Sequence, residues 1–496
     1  MTKVQINNKP EASIIWKGLG GHFDSISQIV NEFLDNSLSN FKANNPVIKN
    51  IVISIKEEKS NEIFISLEDS GTGIKNLDSA FTLGCQDSKE SPMNEHGFGF
   101  KHALATANPE NNCWLISTRT KDQFESKKYT EIKAPYKLEN FSGIERDINK
   151  NPWPGQLNGS GTYIEFKCSR SLFTTVKEGL KGNWGFEGMV ELLIEDIGYT
   201  YSNLIKEDMA NISVIFENIQ GKTRNKNIKA VEPDYEKFIS PGKGNTTIPI
   251  DSNKNVKIEY EFGVMKVSDH KKYYKRNMST SGVEIRLNGR AIICNLFKEV
   301  WNIEKHNSYN YLLIKINMIS DNPDYLPSTR TSKNGIRKGD EKLEAVFEWI
   351  RSLIGTPTKN MRDIDHEIDL FEKLQELKEK QLPDPKKIST EENVFREVKE
   401  RIRIDLYEKT SNGVVIYEGK KDKTSVQDLY QLIMYWDGCT IDGIKPDLGI
   451  LIASEHPQSV KDLTKYINQM KDVNNNNYNL SLKIWKDEGI DYPPVD

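Results

Sequence analysis

Ile26, Ile29, Val30, Phe33 and Leu38 recur at helical spacing, which predicts a helix through Asn31-Glu32-Phe33-Leu34-Asp35-Asn36-Ser37-Leu38-Ser39 with a polar stripe opposite its apolar face. Glu32 and Asn36 fall on that stripe, and i and i+4 stack one turn apart, so a carboxylate and a carboxamide point the same way. The run Ile63, Phe64, Ile65 predicts a strand entering Leu67-Glu68-Asp69-Ser70-Gly71-Thr72-Gly73-Ile74. Gly97-Phe98-Gly99-Phe100-Lys101 opens a second helix, and Gly159-Ser160-Gly161-Thr162 leads into another strand. Beyond residue 170, alternation predicts strands over 211–216, 256–262, 282–287 and 312–319. Ile364, Ile368, Phe371, Leu374 and Leu377 form the stripe of a charged helix, which reads as a connector; Pro383 and Pro385 end it, and Thr390 before Glu391 and Glu392 reads as the cap of a helix around 393–399.

The strongest short hairpin signal follows, Asn412-Gly413 between the apolar runs 402–407 and 414–420. A two-residue Asn412-Gly413 turn sets Tyr407 against Glu418 and Asp405 against Lys420. Cross-strand partners share a face and strands alternate with period two. Asp405, Glu418 and Lys420 then converge, with Ile404, Leu406, Val415 and Tyr417 on the other side. Such a trio is either a surface salt-bridge cluster or a metal site. A helix (426–436), a strand (448–453), a helix (460–470) and a strand (480–485) come after it, and Gln427, Gln431 and Tyr435 line one helical face.

Length changes the picture first: 496 residues suffice for about three domains. Sixty-eight Lys and Arg against 72 Asp and Glu give a net charge of −4, so DNA contact has to come from a local patch or a channel. Five cysteines without a Cys-x-x-Cys pair argue against a disulfide framework or zinc site. No apolar leader and no membrane-length run is present, so the expectation is a cytoplasmic protein with no membrane partner.

Taken together and in this order, the four boxes around Glu32, Asp69, Gly97 and Thr162 resemble the ATP-binding boxes of the GHKL superfamily, which includes gyrase, the heat-shock chaperone, MutL and histidine kinases. The resemblance implies an α+β multidomain chain that starts with a GHKL (Bergerat) α/β sandwich over 1–169. It implies ATP and Mg²⁺ as cofactors, Glu32 as general base and Asn36 as magnesium ligand. Asp69 would accept the adenine amino hydrogen, Gly71 and Gly73 would let backbone approach, and Thr162 would hold the adenine side. Gly97 and Gly99 would turn backbone N–H groups to the phosphates at the helix carrying Lys101, where orphan donors and the dipole favour an anion. Ser39 departs from the further acidic residue of gyrase-like members, and residues 82–96 resemble an ATP lid. Lysine at 101 is closest to the microrchidia (MORC) branch. Residues 170–356 resemble a transducer-like (S5-type) domain through Ser281-Gly282-Val283-Glu284-Ile285-Arg286-Leu287-Asn288-Gly289-Arg290 and the segment reaching Lys333. Lys333 is the candidate for the γ-phosphate; Arg330, Arg337 and Lys338 are alternatives, as is a plain basic surface loop. A histidine kinase would need a phospho-acceptor helix, for which only His22 precedes the first box, and the tyrosine cleavage domain of a type II topoisomerase has no signature here.

After a helical linker over 357–388, residues 389–496 resemble the PD-(D/E)XK nuclease core through Asp405…Glu418-x-Lys420. That implies Asp405 and Glu418 as Mg²⁺ ligands, Lys420 as the group that orients or activates water, and Gln431 with Tyr435 as a Gln-x-x-x-Tyr element. Glu397 or Glu400 could add a metal contact. The expectation is an ATP-gated, Mg²⁺-dependent nuclease acting on double-stranded DNA, a homodimer on binding ATP, with a possible partner protein encoded nearby, in prokaryotic defence against foreign DNA. The alternatives are a MORC-like ATP-dependent DNA clamp whose C-terminal domain does not cut, and a chaperone whose ATP turnover ignores DNA.

Overall fold

The computed structural model describes residues 12–83, 99–251, 254–330, 333, 335–337, 339–357, 361–381, 387–396, 402–411 and 413–492. Gly97, Lys338, Glu397, Glu400, Asn412 and most of the lid-like segment lie outside them. The chain divides into two compact units, Met1–Pro357 and Thr358–Asp496, and mixes helices and sheets throughout. Among the described residues no helix is long and apolar enough to cross a membrane.

The first unit holds two sheets. Eight strands form the first, in the order Ile144–Asp147, Lys128–Lys133, Trp114–Arg119, Gly161–Ser169, Glu62–Asp69, Asn50–Glu57, Asn211–Glu217, Thr223–Asn227. Asn211–Glu217 runs parallel to Asn50–Glu57, and the other neighbours pair antiparallel. The strand expected to start a second domain at 211 therefore extends the first sheet. Its core explains why: Phe173, Phe186, Val190, Leu193, Ile197 and Val214 are buried in one cluster with Phe33, Ile53 and Ile65, so a cut at 170 would divide a continuous hydrophobic interior. The second sheet orders Arg290–Leu296, Gly282–Leu287, Leu312–Ile319, Lys254–Met265 and Tyr235–Asp251.

The sheet of the second unit orders Lys387–Val394, Ile402–Thr410, Gly413–Gly419, Leu448–Ala453 and Leu480–Ile484, the first three antiparallel and the last pairs parallel. Two expectations change here. The cap and the start of the helix expected over 393–399 fall on an edge strand, Lys387–Val394, laddered to Ile402–Thr410, because pairing outweighs the local cap signal, and 397–399 lie outside the described residues. The helix Met361–Gln381, expected to be a linker, packs Leu370, Phe371 and Leu374 against Leu406, Tyr417 and Trp485, so its C-terminal half is a layer of this fold. The other face of the sheet is covered by Val426–Ile441, whose Leu429, Leu432 and Trp436 meet Ile404, Ile416 and Leu451.

Candidate functional site

Two polar clusters merit description, one in each unit. In the first unit the helix Ile26–Asn44 is capped by Ser25, whose hydroxyl accepts the Gln28 N–H. Its apolar residues are buried as the spacing predicts, yet its polar face is buried as well: Glu32 is 2% and Asp35 0% exposed, while Asn36 is half-buried. A buried carboxylate needs a partner. Glu32 finds it in Lys333, whose Nζ stands 3.1 Å from Glu32 Oε2 and 3.1 Å from Asp35 Oδ2. Arg290 donates its Nε to both Asp35 oxygens at 2.8 and 3.0 Å, and the Tyr201 hydroxyl donates to Asp35 Oδ1 at 2.8 Å. Burial pushes the Glu32 carboxyl above its usual range, in spite of Lys333, and the Asp35 charge adds to the rise. Burial acts on Asp35 in the same sense, but Arg290 and Lys333 outweigh it and hold that carboxyl below its usual range.

Gly99 opens the helix Gly99–Ala107 directly against this cluster: a Cβ there would overlap the Glu32 carboxylate. The glycine is required by close approach. Lys101 is buried and donates to the carbonyls of Ala80 (2.8 Å) and Thr82 (3.0 Å), so it ties down the entry to the following segment. His102 stacks on His22 with centroids 3.9 Å apart, and burial draws its pKa down to about 4.

Asp69 ends the strand Glu62–Asp69, cross-strand from Thr162. It is 8% exposed and accepts the Ser37 hydroxyl at 2.9 Å and the Gly71 N–H at 2.8 Å. Burial pushes its carboxyl up to about 6 against those two donors. Gly73 has φ of 71° and its missing Cβ would strike the Arg119 carbonyl. Thr162 and Thr118 share a hydroxyl contact at 3.3 Å. Helix Ile26–Asn44 thus links both parts, with Glu32 on one turn and Ser37 reaching Asp69 from a later one. Asn40 adds a clamp the sequence reading missed, exchanging hydrogen bonds of 2.9 and 3.0 Å with Thr72.

In the second unit the hairpin is slipped by two residues from the expected register: Thr410 pairs with Gly413 and Leu406 with Tyr417. An even slip preserves the faces. Gly419 N–H donates to Asp405 Oδ2 at 2.9 Å, and Lys420 Nζ reaches Glu418 Oε1 at 2.8 Å, so the three residues do meet. Ile404 departs from the expected side and packs with Ile416 and Leu429. Glu418 is 0% exposed and its Oε2 has no hydrogen-bond partner among the described residues. Burial and the nearby Asp405 push its carboxyl well above the usual range, against Lys420. Gln431 donates to the Tyr435 hydroxyl at 2.7 Å, and burial with the Glu418 and Asp405 charges raises that phenol. Gln427, one turn earlier, is exposed. A wholly buried, half-satisfied carboxylate beside a second one fits a hard divalent cation. No group of three or more His, Cys, Asp or Glu capable of holding a metal occurs among the described residues, so the remaining ligands of such a cation would be waters, carbonyls or a phosphate.

Neither a family model nor a curated protein matches the chain. Among solved structures, the N-terminal domain of a DNA repair protein is similar at 14% identity and a TM-score of 0.41, covering 68% of this chain and 96% of that one. A likeness that loose carries no argument.

Proposed function

We propose that the chain is a GHKL-type ATPase with a transducer-like second sheet, fused to a PD-(D/E)XK-type nuclease: an ATP-gated, Mg²⁺-dependent enzyme that cuts double-stranded DNA. One observation carries the reading. In each unit a carboxylate of 2% or less exposure stands within about an ion pair's reach of a lysine, Glu32 with Lys333 and Glu418 with Lys420, which is the pairing that water activation beside a phosphate requires.

At the first site Glu32 takes a proton from the attacking water, and burial, by raising its pKa, makes it a stronger base than an exposed carboxylate. Lys333 meets the charge of the terminal phosphate. Asn36 offers a carboxamide oxygen to Mg²⁺, Asp69 accepts from the adenine amino group with Thr162 beside it, and Gly71, Gly73 and Gly99 keep side chains out of the way. At the second site Asp405 and Glu418 would hold Mg²⁺, which when bound neutralises phosphate charge and lowers the pKa of water. Lys420 orients the nucleophile, and Gln431 holds Tyr435 against the carboxylates. ATP-driven dimerisation would bring two cutting heads to one duplex, and defence against foreign DNA is the role this combination suits.

The test is cleavage of supercoiled and linear DNA with Mg²⁺, with and without ATP, for wild type, Glu418→Ala and Glu32→Ala. Cutting that Glu418→Ala abolishes and Glu32→Ala makes indifferent to ATP supports the reading. ATP-dependent DNA binding without cutting overturns it and leaves a clamp.

A further inference from the structure

Asp35 has no part in the roles assigned above, yet it lies at the buried centre of the cluster around Glu32. It is wholly buried and contacted by three donors from three separate parts of the chain: Tyr201, Arg290 and Lys333. We propose that Asp35 is the positioning residue of the ATP site, stationing Lys333 beside Glu32, and that Arg290 neutralises Asp35 so that Lys333 alone is free to leave for the terminal phosphate. The proposal rests on the ATPase reading.

Charge balance is the first argument. Glu32, Asp35, Arg290 and Lys333 are two buried anions and two buried cations, a neutral set, and removing one partner from such a set strands a buried charge. The two cations are held differently. Arg290 engages both oxygens of Asp35 and also donates to the carbonyls of Ala291 at 3.2 Å and Lys333 at 3.1 Å. A planar guanidinium fixed at four acceptors has no freedom. The Lys333 ammonium is a compact charge on a flexible stem, shared between two carboxylates at equal 3.1 Å distances. When it turns to a phosphate, Asp35 keeps Arg290 and Tyr201, and Glu32 loses its counter-ion and becomes the base.

Backbone geometry is the second. Lys333 has φ of 50°, a left-handed conformation that costs a side-chain-bearing residue energy and persists where the surroundings dictate it. Its N–H donates to Arg330 O at 2.8 Å and its carbonyl accepts from Arg290, so the turn aims the side chain at Asp35.

The experiment measures ATP turnover and binding of a non-hydrolysable ATP analogue on the full chain, for wild type, Glu32→Ala, Asp35→Asn and Asp35→Asn/Arg290→Gln. Asp35→Asn leaves Lys333 paired with Glu32 alone, so kcat should fall at least about tenfold while KM for ATP stays within about threefold. The double variant removes the stranded guanidinium charge and keeps the fold, and its kcat should stay low. Recovery of kcat in the double variant would mean that Asp35 serves only to neutralise Arg290, and it overturns the proposal. Wild-type turnover in Asp35→Asn, with Glu32→Ala inactive, overturns the proposal and spares the ATPase reading. A wild type that neither binds nor hydrolyses ATP overturns both.

Discussion

Glu32 and Gly99 define each other. Because a Cβ at 99 would overlap the far end of the Glu32 side chain, an alanine there displaces a carboxylate and leaves backbone in place. Gly99→Ala should cut ATP turnover by about tenfold or more with little change in melting temperature, since the helix itself gains from losing a glycine; paired rate and melting measurements check this. Asp69 gives a pH signature. Its folded pKa of about 6 lies above the ordinary carboxylate value of 3.8, so its share of nucleotide-free stability is present at low pH and lost as pH rises through about 6. On the proposed ATPase reading, the ionised form is the one that accepts from adenine. Nucleotide affinity should therefore decline as pH falls below about 6, and Asp69→Asn should flatten that dependence along with the affinity, as titration calorimetry across pH would show. Glu32, Asn36, Asp69 and the glycines are legible in the sequence because they lie in short runs whose spacing carries the signal. Asp35 with Arg290 is not legible, since those two meet across 255 positions and nothing local marks them as partners.

At the scale of elements, legibility followed period and failed at boundaries. The strands at 448 and 312 read correctly from runs of strand length rich in Leu and Ile, and the convergence of Asp405, Glu418 and Lys420 survived a register error because it was an even one. Residues 387–394 were misread because Thr390 followed by two glutamates imitates a helix start, while the evidence for a strand lies in its partner, Ile402–Thr410. The helix Met361–Gln381 looked like a connector because charge dominates it, though Leu374 is 0% exposed against Leu406 and Trp485. Leu374→Ala should destabilise the second unit by about 2–5 kcal/mol, seen as faster hydrogen exchange across 402–453 with ATP turnover unchanged.

Over the whole molecule, the division into Met1–Pro357 and Thr358–Asp496 puts each carboxylate–lysine pair inside its own core. Glu418→Ala should therefore abolish DNA cutting and leave ATP turnover within about twofold of wild type, and kinetics on both substrates would test it. Metal should act through Glu418. Its raised folded pKa means that its contribution to metal-free stability is lost as pH climbs above the ordinary carboxylate range, and a cation that takes the ionised form reverses the loss. The Mg²⁺-induced rise in melting temperature should accordingly grow with pH and vanish in Asp405→Asn.

One of the two edge strands of the eight-stranded sheet, Thr223–Asn227, exposes all five of its residues, and Arg224 and Lys226 pair there with Glu187 and Glu191 on the helix Phe186–Thr200. An open edge of this kind is where a second chain would otherwise zip on and seed insoluble assemblies. Cationic side chains along the rim, already engaged with carboxylates of their own helix, would have to break those ion pairs before a second strand could lie flat along that border.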